Sequence, residues 1–187
     1  MNRNKLKPGK GRLLISDPFL HDPSFKRSVI LLTEHNEEGS VGFILNKPVN
    51  TKLNDVLEEF PKFDTNLYFG GPVQRDSLYY IHTMGNSISD SIEIYDGLYW
   101  GGNFEALKIL IETNEVKASD LRFFIGYSGW GSDQLDKELK EKSWIVAPSK
   151  TEHIMDANPE KLWNSILKNM GKNYAMLANF PENPSLN

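Results

Sequence analysis

Apolar positions along this chain fall first into short runs cut by glycine, proline and acidic turns, and later into helically spaced faces. Leu13-Leu14-Ile15 reads as a strand. Asp17-Pro18 and Asp22-Pro23 then mark a turn-rich loop, because a residue before proline is driven out of the helical region. Val29-Ile30-Leu31-Leu32 and Gly42-Phe43-Ile44-Leu45 bracket a polar turn, Glu34 to Ser40, and predict an antiparallel pair buried on both faces. Thr51 is placed to cap a short helix in which Leu53, Val56, Leu57 and Phe60 share a face and Pro61 is the stop. Leu67-Tyr68-Phe69, halted by Gly70-Gly71-Pro72, and Leu78 to His82 are further strands. Ile92 to Tyr95 and Leu98 to Trp100 flank Asp96-Gly97, a strong hairpin signal.

The second half of the chain changes period. Asn103 caps a helix carrying Phe104, Leu107, Leu110 and Ile111 on one face. Leu121 to Ile125 is a buried strand that runs into a predicted glycine loop, Gly126-Tyr127-Ser128-Gly129-Trp130-Gly131-Ser132. Ser132 or Asp133 caps the next helix, in which Leu135 and Leu139 face inward, and Trp144 to Ala147 is a strand ended by Pro148. Asn158 as N-cap, Pro159 in the first turn and Gly171 as stop define a helix with Leu162, Ile166, Leu167 and Met170 on its inner face. The element order predicts an α+β chain: a single domain with a mixed, largely antiparallel β-sheet flanked by helices. Residues 1–10 are expected to be a flexible basic arm, 11–172 the domain and 173–187 a C-terminal tail.

Composition narrows the chemistry. The 187 residues suffice to bury roughly 70% of the unfolded surface, so neither disulfides nor metal are needed to hold a core. The chain has no cysteine, which removes disulfides, zinc–thiolate sites, iron–sulfur clusters and cysteine nucleophiles together. No apolar run reaches membrane-spanning length and Met1 to Gly11 shows no secretory pattern, so a cytoplasmic protein with no membrane partner is expected. A formal net charge of −4 argues against a nucleic-acid partner, whose phosphates demand basic surface. Arg3, Lys5, Lys7, Lys10 and Arg12 are a local exception that reads as a solvated end.

The candidate chemistry centres on the predicted glycine loop. If Gly70-Gly71-Pro72 faces Gly126 to Ser132, the two would wall a small-molecule cleft, with Tyr127 and Trp130 as stacking surfaces. The backbone N–H groups at the start of the Gln134 helix would lie beside it. Candidate ligand-binding residues are Asn46, Gly70, Gly71, Gly126, Tyr127, Ser128, Gly129, Trp130 and Gln134. Ser128 sits between strand and helix as a hydrolase nucleophile does, but Trp130 occupies the position that the G-x-S-x-G elbow reserves for glycine. The competing reading is a tight turn with Trp130 packed on the core. Asp22, Arg27 and Ser28 form a polar cluster. There Asp22 has ordinary turn chemistry, and Arg27 is expected to pair with the carboxylate of Asp22 or Glu34 or, functionally, to contact an anion or partner. His21, His35, His82 and His153 form no helical His-x-x-x-His pair, and Lys7 to Gly11 lacks P-loop spacing; neither a metal nor a cofactor is expected. No helix presents several basic residues on one face for DNA reading.

Gly11-Arg12-Leu13-Leu14-Ile15-Ser16-Asp17-Pro18, Asp22 to Val29, Glu34-His35, Gly42 to Pro48, Gly70-Gly71-Pro72-Val73 and Gly126 to Gly131 with Gln134-Leu135, Glu138-Leu139 and Trp144 together resemble the YqgE/AlgH family. The resemblance runs from about Lys10 to Gly171 in order and spacing. It implies an uncharacterised bacterial family, some members of which are named transcriptional regulators linked to alginate production. Lys47 stands where the family usually has arginine, which would remove a bidentate contact, and Asp133 stands where a small residue is usual, which adds negative charge at the helix start. The family pattern also accepts alanine at the position of Ser128, as a nucleophile would not. The reading that follows is a small-molecule- or partner-binding module with a regulatory role. Two alternatives stand beside it: an enzyme of unknown reaction using Ser128, His82 or Asp22, and a direct DNA-binding regulator.

Overall fold

Side-chain alternation on both faces of the sheet builds the architecture. In the computed structural model, which describes residues 6–156 and 158–180, β1 (Leu13–Ser16), β2 (Val29–Asn36) and β3 (Gly39–Ile44) form an antiparallel meander. Leu13 lies opposite Leu31, and Leu31 opposite Phe43. These residues with Ile15, Val29 and Leu45 enter one core; Leu14, Ile30, Leu32 and Ile44 enter another on the opposite face. Both faces are covered, so the strands read as continuous apolar runs. The turn is tighter than the predicted Glu34–Ser40: β2 and β3 pair as far as Asn36 and Gly39, leaving Glu37 and Glu38 at the tip.

The other strands are β4 (Pro48–Lys52), β5 (Asn66–Phe69), β6 (Val73–His82), β7 (Ile92–Tyr95), β8 (Leu98–Trp100), β9 (Leu121–Gly131) and β10 (Trp144–Ala147). Their order along the sheet is β10-β1-β2-β3-β9-β6-β8-β7, with β5 parallel to β9 and antiparallel to β4. The sheet is otherwise antiparallel, and with its helices it makes a single α+β domain. Its ends curl toward one another: Tyr95 of β7 packs on Gly11, and Ser149 Oγ, just past β10, donates to the Gly11 carbonyl.

Helices cover both faces. α4 (Thr151–Asp156), α5 (Pro159–Asn169) and α6 (Lys172–Ala178) bring Ile154, Leu162, Trp163, Leu167 and Leu177 onto the inner core, with Trp163 Nε1 donating to Ser16 O at 3.0 Å. On the other face α1 (Leu53–Val56) and α2 (Phe104–Glu112) bury Leu53, Leu107 and Ile111 against Tyr80 and Phe123. α3 (Gln134–Lys140) seats Leu135 against Trp130 and Trp144. Asn103 and Asn158 cap α2 and α5 as expected, accepting from Ala106 N and Glu160 N.

Three expectations give way. Thr51 lies in β4 and the N-cap of α1 is Lys52, because pairing with β5 holds the extended backbone as far as Lys52. Gly171 ends α5, but α6 follows it and buries Leu177 and Ala178, so the chain beyond residue 172 is helical to Ala178; Pro181 to Asn187 lie outside the described residues. Of the proposed arm, Leu6 packs on the α3-side core, and residues 1–5 lie outside the described residues.

The largest departure is β9, which runs unbroken through the stretch expected to be a loop. Gly126, at φ 68°, is an irregular residue in it: β6 pairs Leu78 with Ile125 and Val73 with Tyr127, so Gln74 to Ser77 bulge out of β6 opposite this one glycine. The positive φ of Gly126 reverses the alternation of β9. Phe124 before it and Tyr127 after it both face the inner core, and Trp130 reaches the α3-side core. An added Cβ at Gly126 would lie 2.5 Å from Gly71 O, and one at Gly71 would overlap the Tyr127 backbone. Gly71→Ala is therefore expected to cost about 3 kcal/mol or more through backbone overlap, against about 1–2 kcal/mol for Gly85→Ala, where the cost is dihedral strain alone. Nothing lies within 4 Å of that second site. Urea unfolding of both variants decides it, and equal losses would mean the seam relaxes freely.

Candidate functional site

The two glycine stretches do face each other, but in contact. Gly70 N donates to Ile125 O at 2.9 Å, and Ser128 Oγ, fully buried, donates to Gly70 O at 3.0 Å. Where a cleft was expected there is a backbone seam, and the glycines serve close approach. Ser128 is consumed by that seam. Gly129 lies opposite Val41 of β3, with its Cα turned to the Tyr127 ring. Tyr127 and Trp130 cannot sandwich a ligand, because they lie on opposite faces: Tyr127 packs edge-on to Tyr79 at 5.7 Å, and Trp130 is 5% exposed among Phe25, Leu135 and Trp144.

Trp130 is instead half of a buried pair. Its Nε1 donates to Glu138 Oε2 at 2.9 Å, and Trp144 Nε1 donates to the same oxygen at 2.7 Å. The rings meet edge-to-face at 5.8 Å. Gln134 completes the arrangement: it accepts from Gly131 N at 3.0 Å and donates to Glu138 Oε1 at 2.9 Å. It thereby ties the end of β9 to the first turn of α3, whose N-cap residue Asp133, at φ 59°, makes no side-chain cap bond. Two indoles needing acceptors, with a glutamate one turn into the following helix, were the signal in the sequence for Glu138.

The polar loop is also tied internally. Asp22 Oδ1 accepts from Ser24 N at 2.8 Å, the expected turn chemistry. Arg27 pairs with neither Asp22 nor Glu34. It lies over the Trp163 ring at 5.0 Å and donates from Nη2 to Phe180 O, because the chain leaving α6 brings that carbonyl there. Asn46 staples the loop's end, donating to Arg27 O and accepting from Val29 N, each at 2.8 Å. Ser28 N donates to Ser16 Oγ at 2.8 Å, and Lys47 Nζ donates to Ser24 O at 2.8 Å and Pro23 O at 3.2 Å.

His82 is fully buried and fixed in one tautomer. Its Nδ1 accepts from Met84 N at 3.2 Å, so the ring proton is on Nε2, which faces Ser91 Oγ at 2.9 Å and Gly101 O at 3.2 Å. Ser91 Oγ donates to Ile88 O at 2.7 Å and accepts from the imidazole Nε2–H, the reverse of a nucleophile–base pair. Burial lowers the His82 pKa, with the Gly101 carbonyl opposing. Arg122 was missed in the sequence, although a cation inside an apolar strand is a signal. It is buried on the inner face, donating from Nη1 to Leu45 O at 3.3 Å and stacking over Tyr68 at 4.5 Å.

An open concavity lies beside the seam, between the β2–β3 hairpin and the start of α3. This groove of about 340 Å³ is lined by His35, Asn36 and Glu37 on one side, Asp133, Leu135 and Asp136 on the other, with Gly39, Ser40 and Gly131 between them. His35 Nδ1 lies 2.8 Å from Ser40 Oγ, which orients the ring. Of the residues read from sequence, the groove adjoins Gln134 and the end of the glycine stretch. Its three carboxylates, Glu37 from the hairpin, Asp133 before α3 and Asp136 within it, favour cations over anions there.

The tryptophan pair yields a test of α3 seating. Glu138→Leu leaves two indole N–H groups without an acceptor and is expected to cost about 2–4 kcal/mol, whereas Glu138→Gln keeps an acceptor and should cost about 1 kcal/mol. Chemical denaturation followed by tryptophan fluorescence measures both; near-equal losses would show that the side chain matters for charge and not as an acceptor.

The model of the AlgH-like family matches residues 13–175. A UPF0301 protein of Cytophaga hutchinsonii is 49% identical over 179 residues, covering 95% of this chain and 98% of that one. One from Chlorobaculum tepidum is 45% identical over 182 residues, covering 97% and 96%. The solution structure of the AlgH protein from Pseudomonas aeruginosa superposes with a TM-score of 0.74 at 28% identity, over 94% of this chain and 98% of that one. A crystal structure of a Corynebacterium diphtheriae protein gives 0.77 at 23% identity, over 96% and 95%, and shows the same fold. The chain thus belongs to the AlgH-like family.

Proposed function

We propose that this protein is a cytoplasmic binding module with a regulatory role, whose small-molecule or protein ligand presents a positive charge to the groove between the β2–β3 hairpin and α3. The observation that carries the reading is the convergence of Glu37 from one element and Asp133 and Asp136 from another on a concavity of about 340 Å³. Asp133 holds a left-handed backbone at φ 59° at the rim. Non-glycine residues in that region concentrate at sites where geometry serves a function, although aspartate tolerates it better than most.

The enzyme reading has less support. Ser128 is bonded to Gly70, His82 to Met84 and Ser91, and Asp22 to Ser24, so these three groups have separate partners and share no contact. Direct DNA binding would need basic surface, and the concavity beside the family's glycine motif is acidic.

The test is a thermal-shift panel of spermidine, an arginine-rich peptide, nucleotides and phosphorylated metabolites. A cationic probe at about a hundredfold its Kd should add roughly 2.7 kcal/mol, a shift of several degrees. The shift should shrink with salt and vanish in Asp133→Asn/Asp136→Asn, asparagine being tolerant of the left-handed backbone. A nucleotide hit that survives in that double variant would refute the groove as the site.

A further inference from the structure

The segment joining β6 to β7 is clamped at both ends by one imidazole. His82 Nδ1 takes the Met84 N–H at 3.2 Å, and the Nε2 side holds Ser91 Oγ at 2.9 Å. Between these ends Ile88, 1% exposed, plugs the core formed with Tyr80, Leu107 and Leu121. The segment sits directly on Gly102, where an added Cβ would lie 2.5 Å from Ser91 Oγ and 2.7 Å from Ile88 Cγ2. It also meets the start of α2, since Asn103 N donates to Ser89 O at 2.7 Å.

We propose that His82 is a pH-operated latch: its protonation at Nδ1 releases the Thr83–Ser91 segment and loosens the start of α2, while the rest of the sheet stays closed. The proton must go on Nδ1, because Nε2 already carries one. The Met84 N–H then faces another N–H and loses its acceptor.

The surroundings do little to stabilise the cation. Tyr80 of β6 lies 5.9 Å from the ring, and Tyr99 of β8 stacks on it at 5.6 Å. Tyr80 is pushed up to about 12 by burial and so stays a neutral phenol at these pH values. The Asp120 carboxylate, on the turn before β9, is engaged by Lys117 N at 2.9 Å, and Asp90 is exposed. Among the described residues no carboxylate bonds to the imidazole; the Gly101 carbonyl at 3.2 Å is the group that favours its proton.

The sign follows from the two states. Closed, the ring is buried and its pKa is depressed; open, it is wet and titrates near 6.5. The closed form is therefore fully favoured above about pH 6.5 and loses about tenfold per pH unit below it, until the closed form also protonates.

The test is amide hydrogen exchange by NMR on the full chain from pH 7.5 to 5, corrected for intrinsic rates. Protection of the Met84 amide should fall about tenfold per pH unit below about 6.5, while that of Leu31 in the meander stays constant. Imidazole nitrogen shifts should show Nδ1 gaining its proton over the same range. His82→Gln, which does not titrate, should abolish the slope at Met84. Should that variant not fold, Ser91→Ala keeps the imidazole and must keep the slope with lower protection at every pH. Met84 protection constant to pH 5, falling in step with Leu31, or unchanged in slope in His82→Gln would overturn the latch, as would loss of the slope in Ser91→Ala.

Discussion

The backbone irregularity at Gly126 is the constraint on which the rest of the sheet depends. β9 is the strand that takes three neighbours, with β6 along one edge and β5 then β3 along the other. For the strand to serve the α2-side core with Phe123 and the α3-side core with Trp130, its alternation must reverse part-way. One unpaired residue with positive φ does that, and the Gly70-Gly71 backbone packs into the space that a side chain would have filled. The glycine motif is thus structural logic of the sheet, and the groove sits at the end of the strand that Gly126 redirects.

Much of this was legible in the residues. Short apolar runs located the strands because both faces of the sheet are covered, and Asn103, Asn158 and Asp96-Gly97 marked their caps and hairpin because each acts through local backbone chemistry. The glycine stretch was misread as a loop because glycine signals a departure from regular geometry without saying whether that is a turn or a bulge. The missing information was long-range: the backbone packed on Gly126 is that of Gly71, more than fifty residues earlier in sequence. Thr51 failed for the same reason, since pairing with β5 overrode a good local cap.

The candidate site was legible only in part. Its acidic character was visible at Asp133, but Glu37 joins it through the hairpin, whose pairing with β9 sets Gly39 opposite Gly131. Arg27 shows the converse. Its choice of Trp163 and the Phe180 carbonyl over a nearby carboxylate depends on α6, an element with little periodic signature of its own. Residues chosen for chemistry, such as Ser128 and Asn46, proved to be fastenings between chain segments, which is what buried polar side chains most often are.

The position of β1 has a kinetic consequence. Its two neighbours are β2, which follows it in sequence across residues 17–28, and β10, whose last paired residue, Ala147, lies opposite Leu13. Trp163 then reaches back 147 positions to bond Ser16 O. During synthesis the meander of β1 to β3 can form early, but one edge of β1 stays open until almost the whole sheet has left the ribosome. Closing that edge means joining the most distant strands of the chain, a topology that is slow to fold. The nascent chain is therefore most exposed to edge-to-edge association during the interval before β10 arrives.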